Sequence, residues 1–428
     1  MYIFKKNKRI FFLEVLAILI IVTFLLPIFK VGSTTSIKPD WVFVKITFFI
    51  VFFLFNEIRK VDLYRKLLIT FSFILISSLI SNYISGSYYM QGANYRLPID
   101  ILMILDRIST FTFFSYLIYR EWISWKTLKH IMIIVFLTAL LFGLFQFFNL
   151  FGAREIAQRY YLDNDGVQEY NFIQFNRILG VSPAIITWGG ISVLLFHFFY
   201  FVVKNPIVRY LGVALAVVNV LTAASRAAIA ALVVSYILVL LIKLVVFDRS
   251  LKSFFRIFIS ITILFTLFFV LLQEYAPEQI DFLLTRFEKS EDALSTEGRG
   301  LQVKYFSSIF SSDFFVSIFG VGPSVIKEYG YLEVDYAYVF FGYGIIGFIL
   351  HYYIVFLLLK EAYKYRNVDP NLFLFCWGST IGYLVFSVGF YFFYELYMGM
   401  PFWWLNGIVI GLLWLNKKKA KNEKYNLY

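Results

Sequence analysis

The sequence contains very few of the side chains that usually bind metals or cross-link a fold. It has one cysteine, Cys376, in 428 residues, so no intrachain disulfide can form. Its three histidines, His130, His197 and His351, lie far apart and give no metal-ligand spacing. We therefore expect no metal ion and no cofactor. Charged residues are also scarce, at 15% of the chain, against about 25% in soluble domains.

The chain is instead rich in long apolar stretches. Hydrophobic residues make up 60% of the chain, including 53 Phe and 31 Tyr. A membrane-spanning helix needs roughly 17–25 mostly apolar residues, and by that rule the sequence predicts an all-α polytopic integral membrane protein with about 12 transmembrane helices. Residues 1–428 are expected to form a single membrane domain. The predicted spans are 10–29, 41–56, 67–84, 98–119, 129–150, 178–203, 207–224, 227–247, 254–272, 335–359, 372–393 and 402–415.

Basic residues are distributed unevenly between the connecting segments. One alternate set of segments holds about 25 of the Lys and Arg residues, and the other set holds about 12. Because cytoplasmic loops carry an excess of positive charge, both termini are predicted to be cytoplasmic. The net charge of +12 then marks one membrane face. The expected partner is the lipid bilayer, with no nucleic acid.

Two of the predicted outer loops are long, at residues 151–177 and residues 273–334, the second between spans 9 and 10. Loops of this length without a fold of their own are usually functional. In the second loop, apolar residues recur at nearly helical spacing, so we expect a short helix lying along the membrane surface. These residues are Leu301, Tyr305, Phe306, Ile309 and Phe310.

Arginines stand at two unusual places on the predicted outer side. Arg226 follows Ser225 at the outer end of a span, among small residues, and Arg299 lies in Glu297-Gly298-Arg299-Gly300. A guanidinium donates hydrogen bonds in pairs and keeps its charge, which suits a diphosphate. We interpret both as diphosphate ligands, with Arg286 as a further candidate. The alternatives are a snorkelling or loop-paired Arg226 and a glycine hinge with a solvated Arg299.

Two carboxylates, Glu333 and Asp335, lie where the long loop enters the next span. A carboxylate at a partly dry site can deprotonate an acceptor hydroxyl, so both are candidate bases. Asp335 can also cap the helix through its backbone amides, and the two roles are compatible. The sequence has no phosphate-binding loop or nucleotide fingerprint, so any reaction must use an already activated substrate.

The pair Asp106-Arg107 lies inside a predicted span. Adjacent residues on a helix do not face each other, so each needs its own partner. We expect structural inter-helix pairs, with Glu14 and Lys45 as candidate partners. His351, like His197, is predicted near the cytoplasmic end of its span and is a poor base for chemistry outside.

The order of these motifs resembles the Wzy-type polysaccharide polymerases and the related O-antigen ligases. The shared pattern is Ser-Arg at an outer helix end, a long outer loop with Gly-Arg and Gly-x-Gly, and a polar residue opening a glycine-containing span. Here these are Ser225-Arg226, Gly298-Arg299, Gly320-Val321-Gly322, and Asp335 with Gly344-Ile345-Ile346-Gly347. Ligases commonly carry a histidine where Asp335 stands, so the departure favours a polymerase.

The resemblance implies glycosyl transfer at the outer face of a bacterial cytoplasmic membrane. The donor and the acceptor would both be undecaprenyl-diphosphate-linked glycans, polymerised into O-antigen or capsule by a metal-independent glycosyltransferase, with a chain-length regulator as a further expected partner. Arg226 and Arg299 would stabilise the leaving diphosphate, and Asp335 or Glu333 would activate the acceptor. Two alternatives stay open, an O-antigen ligase of the same fold and a lipid-linked oligosaccharide flippase.

Overall fold

The computed structural model of the chain describes residues 8–27, 29–31, 35–84, 99–162, 166–247, 313–322, 334–390 and 396–425, with scattered positions between 255 and 308 and between 325 and 332. Within these ranges the fold is helical apart from one short antiparallel hairpin. Its strands are β1 (Phe29–Val31) and β2 (Thr35–Ile37), with Lys30 opposite Ser36.

Many of the described helices follow one another with short connections. In chain order they are α1 (Lys8–Val22), α2 (Pro39–Phe53), α3 (Phe55–Ile58), α4 (Asp62–Ile84), α5 (Ile99–Tyr119), α6 (Trp125–Phe147), α7 (Ala153–Tyr160), α8 (Gly166–Gln174), α9 (Ile185–Val202), α10 (Pro206–Thr222), α11 (Arg226–Phe247), α12 (Phe314–Phe319), α13 (Asp335–Lys364), α14 (Pro370–Phe386) and α15 (Leu396–Tyr425). The predicted outer loop 151–177 thus contains two short helices, α7 and α8.

Several helices start at clear sequence signals. The side chain of Asn205 accepts hydrogen bonds from the first amides of α10, and Asp369 does the same for α14. In both helices proline follows at the first position, where its missing N–H costs nothing. Each such cap contributes about 1 kcal/mol to stability. Short polar connectors therefore suffice to end one apolar helix and begin the next.

Length and apolarity identify the chain as a multi-pass membrane protein. Among the residues described, six helices are long and apolar enough to cross a membrane, and four further apolar helices are shorter. Large apolar side chains point away from the bundle, such as Phe53 at 78% exposure and Val245 at 76%. Eleven of the twelve predicted spans overlap a helix, and the predicted span 254–272 lies outside the described ranges. The span count and the sidedness stay predictions.

One predicted span begins later than expected. Residues 178–203 were predicted to be helical, but α9 begins at Ile185. The preceding segment is buried without being helical, and Gln146 of α6 satisfies its backbone. The Gln146 amide oxygen accepts from the N–H groups of Leu179 and Gly180, each at 3.0 Å, and its amide nitrogen donates to the Gly180 carbonyl at 2.8 Å. Gly180 has φ +56°, which explains the glycine.

Basic residues gather at one end of the bundle. Lys419 near the end of α15 forms an ion pair of 3.0 Å with Glu121, which follows α5. Trp414 of α15 donates to Glu361 near the end of α13 at 2.8 Å. These contacts bring the ends of α5, α13 and α15 together, and we call this the basic end. It agrees with the uneven charge distribution seen in the sequence.

Helix α13 is a hairpin rather than one straight span. Gly344 has φ +67° and ψ −172°, which breaks the helix. The rings of Tyr336 and Tyr352 stack with centroids 5.1 Å apart, and those of Phe340 and Phe348 are 5.6 Å apart. In one continuous helix Tyr336 and Tyr352 would be about 24 Å apart. Residues 335–343, the short arm, therefore fold back along residues 345–364, the long arm.

The predicted span over 335–359 therefore overlaps a helix that can cross a membrane, but it is interrupted at Gly344, which the sequence did not indicate. The long arm alone measures about 30 Å, which is enough to cross a bilayer. It descends from the hairpin tip at Gly344 to the basic end, so we call the opposite end of the bundle the tip end. The short arm adds a half-helix inside the protein and no further crossing.

The hairpin tip is held by main-chain hydrogen bonds from the preceding segment. The break leaves the carbonyls of Phe341 and Gly342 without helical partners. The N–H of Val321 donates to the Phe341 carbonyl at 2.8 Å, and the N–H of Gly322 donates to the Gly342 carbonyl at 3.1 Å. The Ser81 hydroxyl of α4 also donates to the Gly342 carbonyl at 2.8 Å. Irregular backbone inside a membrane protein is tolerated only when it is paired in this way.

Glycine is required at the tip because two backbones touch there. A Cβ on Gly344 would lie 2.2 Å from the Ile318 carbonyl oxygen, and a Cβ on Gly320 would lie 2.5 Å from the Gly342 backbone. Both glycines also have positive φ. The two glycine motifs of the sequence, Gly320-Val321-Gly322 and Gly344-Ile345-Ile346-Gly347, are thus the two sides of one contact.

We predict that Gly344→Ala destabilises the protein by roughly 2 kcal/mol or more, since it combines backbone strain with a collision. The matched control is Gly152→Ala. Gly152 has a similar φ of +68°, but a Cβ there would have its nearest neighbour at 3.6 Å. Thermal unfolding of the purified protein in detergent compares the two variants. Equal losses in melting temperature would show that the tip contact is not tight.

Candidate functional site

Asp335 begins the short arm and is fully buried. Its N–H donates to the Ser387 carbonyl at 3.1 Å, just beyond α14. The Tyr352 hydroxyl of the long arm donates to its carboxylate at 3.3 Å. The N-cap position belongs to Val334, so Asp335 is the first residue of the helix rather than its cap. Its carboxylate still lies favourably near the positive end of the helix dipole.

The carboxylate lies deeper than the sequence indicated. Tyr352 is eight residues beyond Gly344, which places it about 12 Å below the hairpin tip. Because Asp335 contacts Tyr352, it lies at that depth and not at the mouth of a span. The fold-back of the short arm causes the difference. Glu333, the second candidate base, lies outside the described residues.

The turn after α14 connects Asp335 to Arg226. We call residues 387–389 the α14 turn. Ser387 accepts from the Asp335 backbone, and a Cβ on Gly389 would lie 2.6 Å from the Ala227 side chain. Ala227 is the second residue of α11, which begins with the half-buried Arg226. The chain segments that carry Arg226 and Asp335 therefore contact the same three-residue turn.

The position of Arg226 depends on a tight turn between α10 and α11. Ala224 has φ +48°, and the N–H of Ala228 donates to the Ser225 hydroxyl at 3.4 Å. Arg177 donates from Nε to the Ala223 carbonyl at 2.9 Å and from Nη2 to the Ala224 carbonyl at 3.2 Å. A guanidinium at a helix C-terminus pairs the exposed carbonyls and complements the dipole.

The small residues beside Arg226 have a packing role. A Cβ on Gly189 of α9 would lie 2.8 Å from Ala228 Cβ and 3.3 Å from Ser225 Cβ. Larger side chains at these positions would push α9 away from the turn. The alanines therefore hold the start of α11 in place, which fixes the position of the Arg226 backbone. Arg177 was not among the site residues predicted from the sequence, where it is simply the last cation of loop 151–177.

Two side chains in the described part of loop 151–177 hold the loop in place. The Arg154 guanidinium lies 4.3 Å from the Phe172 ring centroid and donates to Asn176 at 2.5 Å. The Tyr161 hydroxyl donates to the Leu25 carbonyl at 2.6 Å, and burial raises the pKa of Tyr161 to about 12. Both side chains thus serve structure at neutral pH.

The predicted pair Asp106-Arg107 separates onto two sides of α5. Asp106 forms an ion pair with Lys45 of α2, which confirms one of the two candidate partners. Arg107 points instead towards α15 and is only 1% exposed. Its guanidinium packs on Gly399, where a Cβ would lie 3.0 Å from Nε and from Nη2. A buried arginine within a membrane bundle indicates a functional site by default.

Arg107 belongs to the same polar cluster as Asp335. Arg107 packs on Gly399 at the start of α15, and the Phe402 ring of the same helix lies 5.2 Å from the ring of Tyr383 in α14. Tyr383 is one turn before Ser387, which accepts from the Asp335 amide. His351 Nδ1 lies 2.6 Å from the Gly347 carbonyl, within the long arm. Helices α5, α13 and α14 thus surround a buried cluster with one carboxylate and one guanidinium.

The structure does not describe every predicted site residue. Arg286 and Arg299 lie outside the described residues, as do the apolar side chains of the predicted surface helix around residues 301–310. Among the residues that the structure describes, no group of three or more His, Cys, Asp or Glu side chains could hold a metal ion. The geometry can supply a fixed cation at Arg226 and a carboxylate in a dry setting at Asp335.

No family model matches the sequence, and no curated protein matches it significantly. The function of the protein must therefore be inferred from the chemistry of the site itself.

Proposed function

We propose that this protein is a glycosyltransferase that polymerises undecaprenyl-diphosphate-linked oligosaccharide repeat units into surface polysaccharide. The observation that carries the proposal is the α14 turn, which is contacted both by the start of α11 at Arg226 and by the buried Asp335. A diphosphate donor needs a permanent cation at the leaving group and a base near the acceptor hydroxyl. This turn brings one of each to the same part of the bundle.

In the proposed reaction the acceptor hydroxyl oxygen attacks the anomeric carbon of the donor sugar. The bond between that carbon and the diphosphate oxygen breaks, and undecaprenyl diphosphate leaves with the electron pair. The acceptor proton passes to the carboxylate of Asp335, or to Glu333. Arg226, with Arg299 and Arg286 as further candidates, binds the leaving diphosphate. Its charge is most valuable in the transition state, when negative charge accumulates on the diphosphate.

The surroundings of Asp335 suit a base. The carboxylate is buried, and a low-dielectric setting strengthens its interactions with charges and protons. The Tyr352 hydroxyl and the Ser387 carbonyl fix the residue from two sides. A held base loses little freedom when the substrate arrives, which favours reaction geometry.

The proposed topology has about twelve spans with both termini in the cytoplasm. The basic end of the bundle would face the cytoplasm, because positive residues concentrate on that side of a membrane. Arg226 begins α11 on the other side, so the transfer would occur at the outer face of the bacterial cytoplasmic membrane. Both lipid-linked glycans would reach the site from the bilayer, and a chain-length regulator is a further proposed partner.

Two other functions stay open. A ligase would use the same site with a different acceptor, and Asp335 in place of the usual histidine favours the polymerase. A lipid-linked oligosaccharide flippase is favoured by a different observation, the buried charged groups Arg107 and Asp106, the second of which pairs with the exposed Lys45. Transporters place such groups along the path of a charged substrate.

Deletion of the gene in its native host separates these three functions. We expect single repeat units at the cell surface and no longer ladder on a glycan gel. Full-length polymer retained on the lipid would instead indicate a ligase. Repeats trapped on the cytoplasmic side would indicate a flippase and would remove the catalytic role of Arg226.

Arg226→Ala should reduce polymer formation by roughly 10²-fold or more, because one charge-stabilising donor to the leaving group is lost. The matched control is Arg159→Ala, since Arg159 is an exposed arginine of α7 in loop 151–177. Complementation of the deletion strain is followed by glycan ladder and by membrane protein level. Wild-type chain lengths from Arg226→Ala would contradict the assignment.

Asp335→Asn should reduce turnover on purified lipid-linked substrate by about 10²–10⁴-fold, since the amide keeps the shape but cannot take a proton. Tyr352→Phe is the control, because it removes only the hydroxyl that donates to the carboxylate. We expect Tyr352→Phe to reduce turnover much less, because the carboxylate loses one fixing contact but can still take the proton. Unchanged turnover in Asp335→Asn would leave Asp335 a structural role alone.

A further inference from the structure

We infer that Arg107 is a positioning residue that holds the Asp335 carboxylate in its charged form. The inference builds on the proposed function in one respect, the role of Asp335 as the base. It assigns Arg107 no contact with substrate. Sequence analysis treated Arg107 as half of a structural pair, and the structure gives it a different neighbourhood.

Burying a charge away from water costs free energy. Asp335 and Arg107 have relative exposures of 0% and 1%. An ionised carboxylate in such a place would normally take up a proton, unless an opposite charge compensates for its lost hydration. Arginine is suited to that task, because it does not lose its proton even when it is buried.

Both residues also lie against the same end of α14. The Asp335 N–H donates to the Ser387 carbonyl. Met398, which precedes the Gly399 that packs on Arg107, lies beside Phe386, because a Cβ on Gly190 would be 2.2 Å from Met398 Sδ and 3.1 Å from Phe386 Cε2. One turn earlier in α14, the buried Tyr383 ring lies 5.2 Å from the Phe402 ring of α15. The carboxylate and the guanidinium therefore share one buried region between the end of α14 and the start of α15, where charges are poorly screened.

Other charged, histidine and tyrosine side chains also lie around the cluster. Asp106, the other carboxylate of α5, forms its ion pair with Lys45 on another side of the helix. The long arm contributes His351, whose ring lies 4.9 Å from that of Tyr343, and it contributes Tyr352, which donates to Asp335. The short arm contributes Tyr336, which donates to the Leu384 carbonyl. Among these described neighbours the permanent cation is Arg107. The half-buried Arg226 begins α11 beside the same turn, but it is assigned to the leaving diphosphate.

The close approach of Gly399 explains how Arg107 is aimed. A Cβ at residue 399 would lie 3.0 Å from two of the guanidinium nitrogens, so glycine lets Arg107 pack directly on the backbone of α15. The start of α15 thus leaves the guanidinium its space in the cluster. A base that must be charged before the acceptor arrives requires such a fixed counter-ion.

The test is a double-mutant cycle in the full-length protein, read out by melting temperature in detergent. The variants are Arg107→Gln, Asp335→Asn and the two combined, with Arg107→Lys as the charge-preserving variant. We expect Arg107→Gln to lower the melting temperature in the wild-type background, but much less in the Asp335→Asn background, because the carboxylate then carries no charge to compensate. Arg107→Lys should retain most of the stability and most of the polymer.

The control cycle combines Asp106→Asn with Asp335→Asn. Asp106 is adjacent in sequence but has Lys45 as its partner, so the two losses should add. If Arg107→Gln costs the same melting temperature in both backgrounds, the inference is wrong. If Arg107→Gln does not accumulate at all, recovery of folded protein in the double variant supports the inference, and no recovery overturns it.

The same variants separate this inference from the proposed function. In the polymer assay we expect Arg107→Gln to lower kcat with little change in KM, because the base is disturbed and the substrate contacts are kept. If Asp335→Asn still makes polymer, the proposed function of Asp335 fails, whereas the melting-temperature cycle still decides whether the two charges are coupled.

Discussion

The structure around the site depends on one constraint, that backbone polar groups inside a membrane protein must be paired. Breaking α13 at Gly344 frees the Phe341 and Gly342 carbonyls, and the main chain of residues 321–322 pairs them. That pairing requires two backbones in contact, which requires Gly320 and Gly344. Once the tip is fixed, the short arm has to return along the long arm, and Asp335 is carried into the interior beside Tyr352.

Charged side chains in the interior likewise need neighbours that offset their lost hydration. Two buried ionic groups in the described part of the bundle lie beside groups that offset their lost hydration, Asp106 through its ion pair with Lys45 and Arg177 through backbone carbonyls. The Arg177 contacts also shape the bundle, because they secure the turn that starts α11. Residues that looked alike in the sequence, as isolated arginines, therefore perform different tasks that only their neighbours reveal.

Much of the helical framework could be predicted from the sequence, because apolar length and capping residues are local properties. The positions of α6, α10 and α14 follow from their apolar runs and from caps such as Asn205 and Asp369. The hairpin could not be predicted, since the short arm and the long arm together read as one apolar stretch. The depth of Asp335 and the place of Arg107 were missed for the same reason, because both depend on contacts between helices distant in sequence.

The short arm also has a consequence for how the protein is made. Its nine residues are too few to cross a bilayer, so it cannot be inserted as a span in its own right. The insertion machinery would recognise the long arm, and the short arm would dock afterwards, against protein that is already in the membrane. The acidic group of the site would thus be assembled late in biogenesis, after α14 has been synthesised and its terminal turn is available to receive the Asp335 amide.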